Sequence, residues 1–86
     1  MNLYIIYDRK AEVANPPFTA VNHAFAIRQF QMQVNQPSTP ERVNVLHDYA
    51  EDFELIFIGN MDEKSCRIEQ PEVPTLLCTA IEMLKE

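Results

Sequence analysis

The segment NLYIIYD, residues 2–8, constrains the fold more than any other stretch. Its β-branched and aromatic content, ended by Asp8, predicts a strand. Successive strand side chains point to opposite faces, so Leu3, Ile5 and Tyr7 face one way and Tyr4 and Ile6 the other. Apolar residues on both faces predict a central strand, or one covered on both sides. The 86 residues make one domain. A chain of that size buries only about 60–65% of its unfolded surface, so a partner that covers more apolar area would help it.

The polar run DRKAEVANPP reads as a connection, and PFTA adds a short strand that Pro16 and Pro17 confine to an edge or a strand start. VNHAFAIRQFQMQV is then a helix with Asn22 or Thr19 as N-cap. At roughly 100° per residue, Ala20, Ala24, Ala26, Ile27, Phe30 and Val34 share one arc of about 160°. Val21, Phe25 and Met32 cluster on a different side, flanked by Arg28 and Gln29. That second stripe needs a cover: the next helix, the last helix, or another chain.

In NQPSTP, Ser38 with Glu41 reads as a capping box and Pro40 as a first-turn residue. A second helix over 40–50 would bury Val43, Leu46 and Ala50, against the poor helix propensity of Asn44 and its valine neighbours. FELIFIGNMDEKSCRIE predicts a β-hairpin with Gly59 at the start of its turn, in a positive-φ or bulge position. QPEVP breaks the chain, and PTLLCTAIEMLKE predicts a last helix. Its core arc would be Leu76, Leu77, Ala80, Ile81, Met83 and Leu84, with Lys85 suited to the dipole at its end. These elements predict an α+β fold: a small antiparallel or mixed sheet, made of the N-terminal strand plus a C-terminal-half hairpin, with two to three helices packed on it.

Several functions are excluded or left without support. A single glycine cannot supply a dinucleotide fingerprint or a phosphate-binding loop. Cys66 and Cys78 lack metal-ligand spacing, so reduced thiols in a cytoplasm fit best. No apolar run approaches the length of a membrane span, and no signal peptide is visible. His23 and His47 read as packing histidines, and Asp62 and Glu63 as turn residues. No catalytic set and no cofactor or metal site can be assembled, so an enzyme is not expected.

Two constellations remain. The first is a protein-binding surface from Val21, Phe25, Arg28 and Met32, together with the acidic Asp48, Glu51, Asp52 and Glu54. The second is a single-stranded DNA interface from Tyr4, Tyr7, Arg9, Lys10 and Arg67, with aromatics to stack bases and cations for phosphates. The net charge of −6 opposes the second, because it repels a polyphosphate backbone at long range.

Three blocks, LYIIYDRKAE, PPFTAVNHAFAIRQF and EDFELIFIGNMDE, make the chain resemble the small non-structural protein of gokushoviruses, single-stranded DNA phages of the microvirus family. Tyr7, Asp8, Pro17, Asn22, Ala26, Arg28, Phe30, Asp52, Phe53, Leu55, Ile58, Gly59 and Asp62 match the family's pattern. Met61 stands where the family has an aromatic residue, and the segment from Pro74 onwards lies outside the likeness. The resemblance implies a protein of the infected bacterial cytoplasm, absent from the virion. It would be linked to genome replication or to the switch to single-stranded genome synthesis and packaging, without catalytic residues. Expected partners are a second copy of the chain, a viral replication protein or an assembling capsid. An inhibitor or mimic directed at a host factor is a further alternative. Arg28 is a recognition residue on one reading and an ion-pair partner of Asp52 on the other.

Overall fold

The computed structural model describes residues 1–84. Strand β1 (Asn2–Asp8) leads into β2 (Val13–Ala14) and β3 (Phe18–Ala20), then helix α1 (His23–Val34) and helix α2 (Val45–Asp48). A single 3₁₀ turn, Ala50–Asp52, precedes β4 (Phe53–Met61), β5 (Ile68–Glu69), β6 (Thr75–Thr79) and helix α3 (Ala80–Met83). All six strands form one antiparallel sheet. β1 and β4 pair along their full lengths at its centre, while β2 and β3 border β1, and β5 and β6 border β4. The central strand expected from NLYIIYD is therefore present.

One apolar cluster joins the helices to one face of this sheet. Tyr4, Ile6, Phe53, Leu55 and Cys78 supply its floor, and Ala26, Phe30, Val34, Leu46, Ala50 and Ala80 pack onto it. Since α1, α2, the 3₁₀ turn and α3 all contribute to one cluster, they share one side of the sheet. Antiparallel sheets tolerate a second face open to water. β1 is thus central but covered on one side only.

Helix α1 starts where Asn22 predicts: its side-chain oxygen accepts from the Phe25 N–H at 2.8 Å. Of the expected core arc, Ala26, Phe30 and Val34 are buried, whereas Ala24 is exposed and Ala20 belongs to β3. Thr19 lies in β3 and caps nothing.

The second helix differs from expectation. Residues 40–44 are not helical, Val43 is exposed, and α2 is one turn long. The cause is Asn44. Its amide donates to the carbonyls of Gln33 and Gln36 at the end of α1, and its oxygen caps Leu46 N–H. A residue tied to another helix end cannot continue its own helix, so Asn44 starts α2 instead. The Ser38–Glu41 capping box is absent: Ser38 Oγ accepts from Asn44 N–H and donates to Asp48.

The last helix is also corrected. Thr75–Thr79 is a strand that pairs with Glu54–Phe57, which would otherwise be an open edge of β4. Only Ala80–Met83 is helical, begun by a capping box between Thr79 and Glu82. Leu76 and Ile81 are consequently exposed rather than core. Lys85 lies outside the described residues.

The hairpin exists, but its turn comes later than expected. β4 runs through Gly59 to Met61, and the turn is closed by Asp62 N–H on the Arg67 carbonyl at 2.8 Å. A bulge opposite Leu3 and Tyr4 leaves Ile58 out of register. Gly59 is nearly extended at φ 159°, and a Cβ there would sit 2.7 Å from the Glu69 carbonyl oxygen. The glycine serves the close approach of β5.

Candidate protein-binding surfaces

The side of α1 opposite its core arc is bare. Val21 is 82% exposed, Phe25 44% and Met32 63%, so neither α2 nor α3 covers this stripe. Arg28 is exposed beside it, and no ion pair holds it among the described residues, Asp52 included. A cation next to three uncovered apolar side chains is a usual composition for a protein contact.

The acidic segment divides by role. Asp48 accepts from Ser38 Oγ at 2.8 Å, which makes it part of the loop scaffold. The carbonyls of Glu51 and Asp52 accept from the Arg9 guanidinium and the Arg9 N–H, respectively. Arg9 is thereby committed to the acidic segment. Glu54 sits opposite Tyr7 in the β1–β4 register. A cleft of about 320 Å³ lies at this end, lined by Val45, Tyr49 and Phe53 with Asp8, Lys10 and Asp52 at the rim. The structure therefore brings Lys10 and Arg9 against the acids with which they were not grouped in sequence.

The nucleic-acid constellation is not brought together. Tyr4 is fully buried, its hydroxyl 2.8 Å from His23 Nδ1 and within reach of the Asn2 amide at 3.2 Å. Its ring packs on Phe18 and Phe57 and has no free face for a base. Tyr7, Arg9 and Lys10 lie at one end of β1, whereas Arg67 lies in the β4–β5 turn beyond the other end, next to Asn2 and Asn60. His23 is exposed, with its ring tilted against Phe57 at a centroid distance of 4.7 Å, and the half-buried His47 donates from Nδ1 to the Val34 carbonyl at 3.0 Å. His47 is thus the packing residue expected, whereas His23, expected to be partly buried, is exposed and reaches the core only through Tyr4 and Phe57.

A third surface was not singled out from sequence. The face of the sheet away from the helices carries Leu3, Ile5 and Tyr7 of β1, Ile56 of β4 and Leu76 of β6, placed together by the strand register. Of these, Leu76 is 53% exposed and the others are half-buried by their neighbours. The double-sided apolarity of NLYIIYD was its signal. Among the described residues no three His, Cys, Asp or Glu side chains form a metal-binding group, and no helix is long and apolar enough to cross a membrane.

The family model Phage ORF5 protein matches residues 1–83. The chain belongs to the Phage ORF5 protein family. The match includes the segment from Pro74 onwards, beyond the three blocks that carried the resemblance. No curated protein and no solved structure matches the chain.

Proposed function

We propose that the chain is a non-structural, non-enzymatic accessory protein of a gokushovirus-like phage, acting through protein contacts in the cytoplasm of the infected bacterium. Its period of action is genome replication, or the switch to single-stranded genome synthesis and packaging. The observation that carries this reading is the uncovered stripe of Phe25 and Met32 on α1, continued by Val21 just before its cap, with the exposed Arg28 beside it. Apolar groups left in water on one side of a helix whose other side is held in the core by Ala26, Phe30 and Val34 offer a ready contact for a viral replication or capsid-assembly protein. Membership of the Phage ORF5 protein family and the gokushovirus resemblance supply the phage context.

The test is complementation of a phage that lacks this gene. A Phe25→Asp, Met32→Asp chain is expected to fold and melt like the natural one yet fail to restore single-stranded progeny genomes. Normal progeny yield from that variant, and from Arg28→Glu, would sink the reading. Salt-dependent binding of an oligonucleotide, weakened by Lys10→Glu, would favour single-stranded DNA as the partner instead.

A further inference from the structure

Strands of an antiparallel sheet with one solvated face normally alternate apolar inward and polar outward. β1 and β4 do not. On the helix-free face, Leu3, Ile5 and Tyr7 lie beside Ile56, and β6 extends the same row with Leu76. Met61 and Ile68, paired across β4 and β5, prolong it towards the hairpin turn. The register puts a single charged side chain on β1 and β4 within this face, Glu54 opposite Tyr7. Folding alone gives no reason for the pattern, because the helices never reach it.

We propose that this face is closed by a second copy of the chain, the two sheets stacking face to face around a two-fold axis. The proposal deepens the protein-contact reading by naming one partner and its surface, separate from the α1 stripe. Three observations select a second copy. The face has no Lys or Arg on its central strands, so it offers nothing to a phosphate backbone or an acidic partner. A patch that is apolar and nearly uncharged is complementary to itself, which a two-fold contact requires. Its area is also sufficient. The six strands hold 28 residues, and at about 3.3 Å rise and about 4.8 Å spacing they give roughly 440 Å² per copy, or about 900 Å² for the pair, which side-chain relief brings to the size of a small specific interface. Aligned sheet packing, with strands crossing at about 30°, buries such faces throughout β-sandwiches.

The two-fold axis runs across the strands. Glu54 of each copy then lies over the Leu3 end of the other, and the two carboxylates are about 15 Å apart, beyond the screening length of about 8 Å at physiological salt. An axis along the strands would bring like charges to the same end.

Sedimentation equilibrium on the full chain tests this. The natural protein is expected at twice the 10.0 kDa chain mass at tens of micromolar. Ile56→Lys with Leu76→Lys is expected at the single-chain mass with unchanged far-ultraviolet circular dichroism, while Phe25→Asp remains a dimer. A monomeric natural protein at about 0.5 mM overturns the proposal, as does a dimer lost with Phe25→Asp and retained with the sheet substitutions. Should the double variant unfold, the natural protein decides alone through methyl resonances and a soluble gadolinium chelate. Ile5 and Ile56 methyls shielded as well as those of buried Leu55 support it, and methyls broadened as strongly as exposed Met32 overturn it. A monomer that still needs Phe25 for progeny genomes removes the dimer and leaves the accessory role standing.

Discussion

The buried hydroxyl of Tyr4 lies 2.8 Å from Nδ1 of His23, joining the central strand to the first turn of α1. Asn2, two residues earlier on the same face of β1, donates to the same oxygen, so a hydroxyl that donates to His23 satisfies all three groups. The two rings meet edge-on, and both touch Phe57. Tyr4→Phe keeps the ring packing and removes this bond. The expected cost is about 1 kcal/mol by urea unfolding. His23→Ala is expected to cost a similar amount, and a double-mutant cycle should return a coupling between the two; strict additivity would show that the contact contributes nothing.

The two sides of α1 should respond in opposite ways. Phe30 is 1% exposed within the core cluster, so Phe30→Ala is expected to cost about 3–5 kcal/mol and to leave a domain of this size barely folded. Phe25, on the bare side, should change unfolding by less than about 1 kcal/mol when replaced by Asp. Equal losses at both positions in urea titrations would mean that the stripe is packed internally.

Gly59 is held by space. Gly59→Ala places a methyl 2.7 Å from the Glu69 carbonyl oxygen and 3.1 Å from Ile68 Cγ2. The expected result is displacement of β5, with faster amide exchange across the Asn60–Glu69 pairing and a loss of about 1–3 kcal/mol. Unaltered exchange at Ile68 and Glu69 would show that β5 yields without cost.

The cysteines should separate by reactivity and by pH. Cys66 is exposed, whereas burial, with the Glu82 carboxylate adding to it, pushes the Cys78 thiol up to about 11 from an ordinary 9.0. At pH 8 a thiol reagent is expected to modify Cys66 promptly and Cys78 only on unfolding. The folded state keeps its proton longer than the unfolded one. Stability is therefore full below about pH 9 and declines as pH rises from 9.0 towards about 11. Cys78→Ala should flatten this decline in urea titrations at pH 8 and 10.5, and an identical decline in both proteins would show that the Cys78 thiol does not cause it.

Where local chemistry is self-sufficient, the residues foretell the outcome. NLYIIYD is a central strand because only a paired strand satisfies its backbone among β-branched and aromatic side chains. Asn22 starts α1 because its own side chain reaches the Phe25 N–H. The Phe30 and Phe25 sides separate by helical period alone. Asn44 and Leu76 show the opposite case. Asn44 is drawn out of a local helix by the carbonyls at the end of α1, eleven and eight positions earlier. Leu76 carries an acceptable helical pattern, yet its segment is taken as a strand by the free edge of β4, twenty residues away.

The sequence by itself determined the α+β class, the central strand, the start and inner side of α1, and the absence of any fingerprint for nucleotide chemistry. These follow from periods of two and 3.6 residues and from caps that act within one turn. Only the tertiary structure decided that β1 is covered on one side, that Tyr4 is spent on His23, and that Arg9 lies against Glu51 and Asp52. It also decided that Leu3, Ile5, Tyr7, Ile56 and Leu76 form one open face. Strand pairing brings together residues dozens of positions apart, and no local pattern records which face the helices will choose.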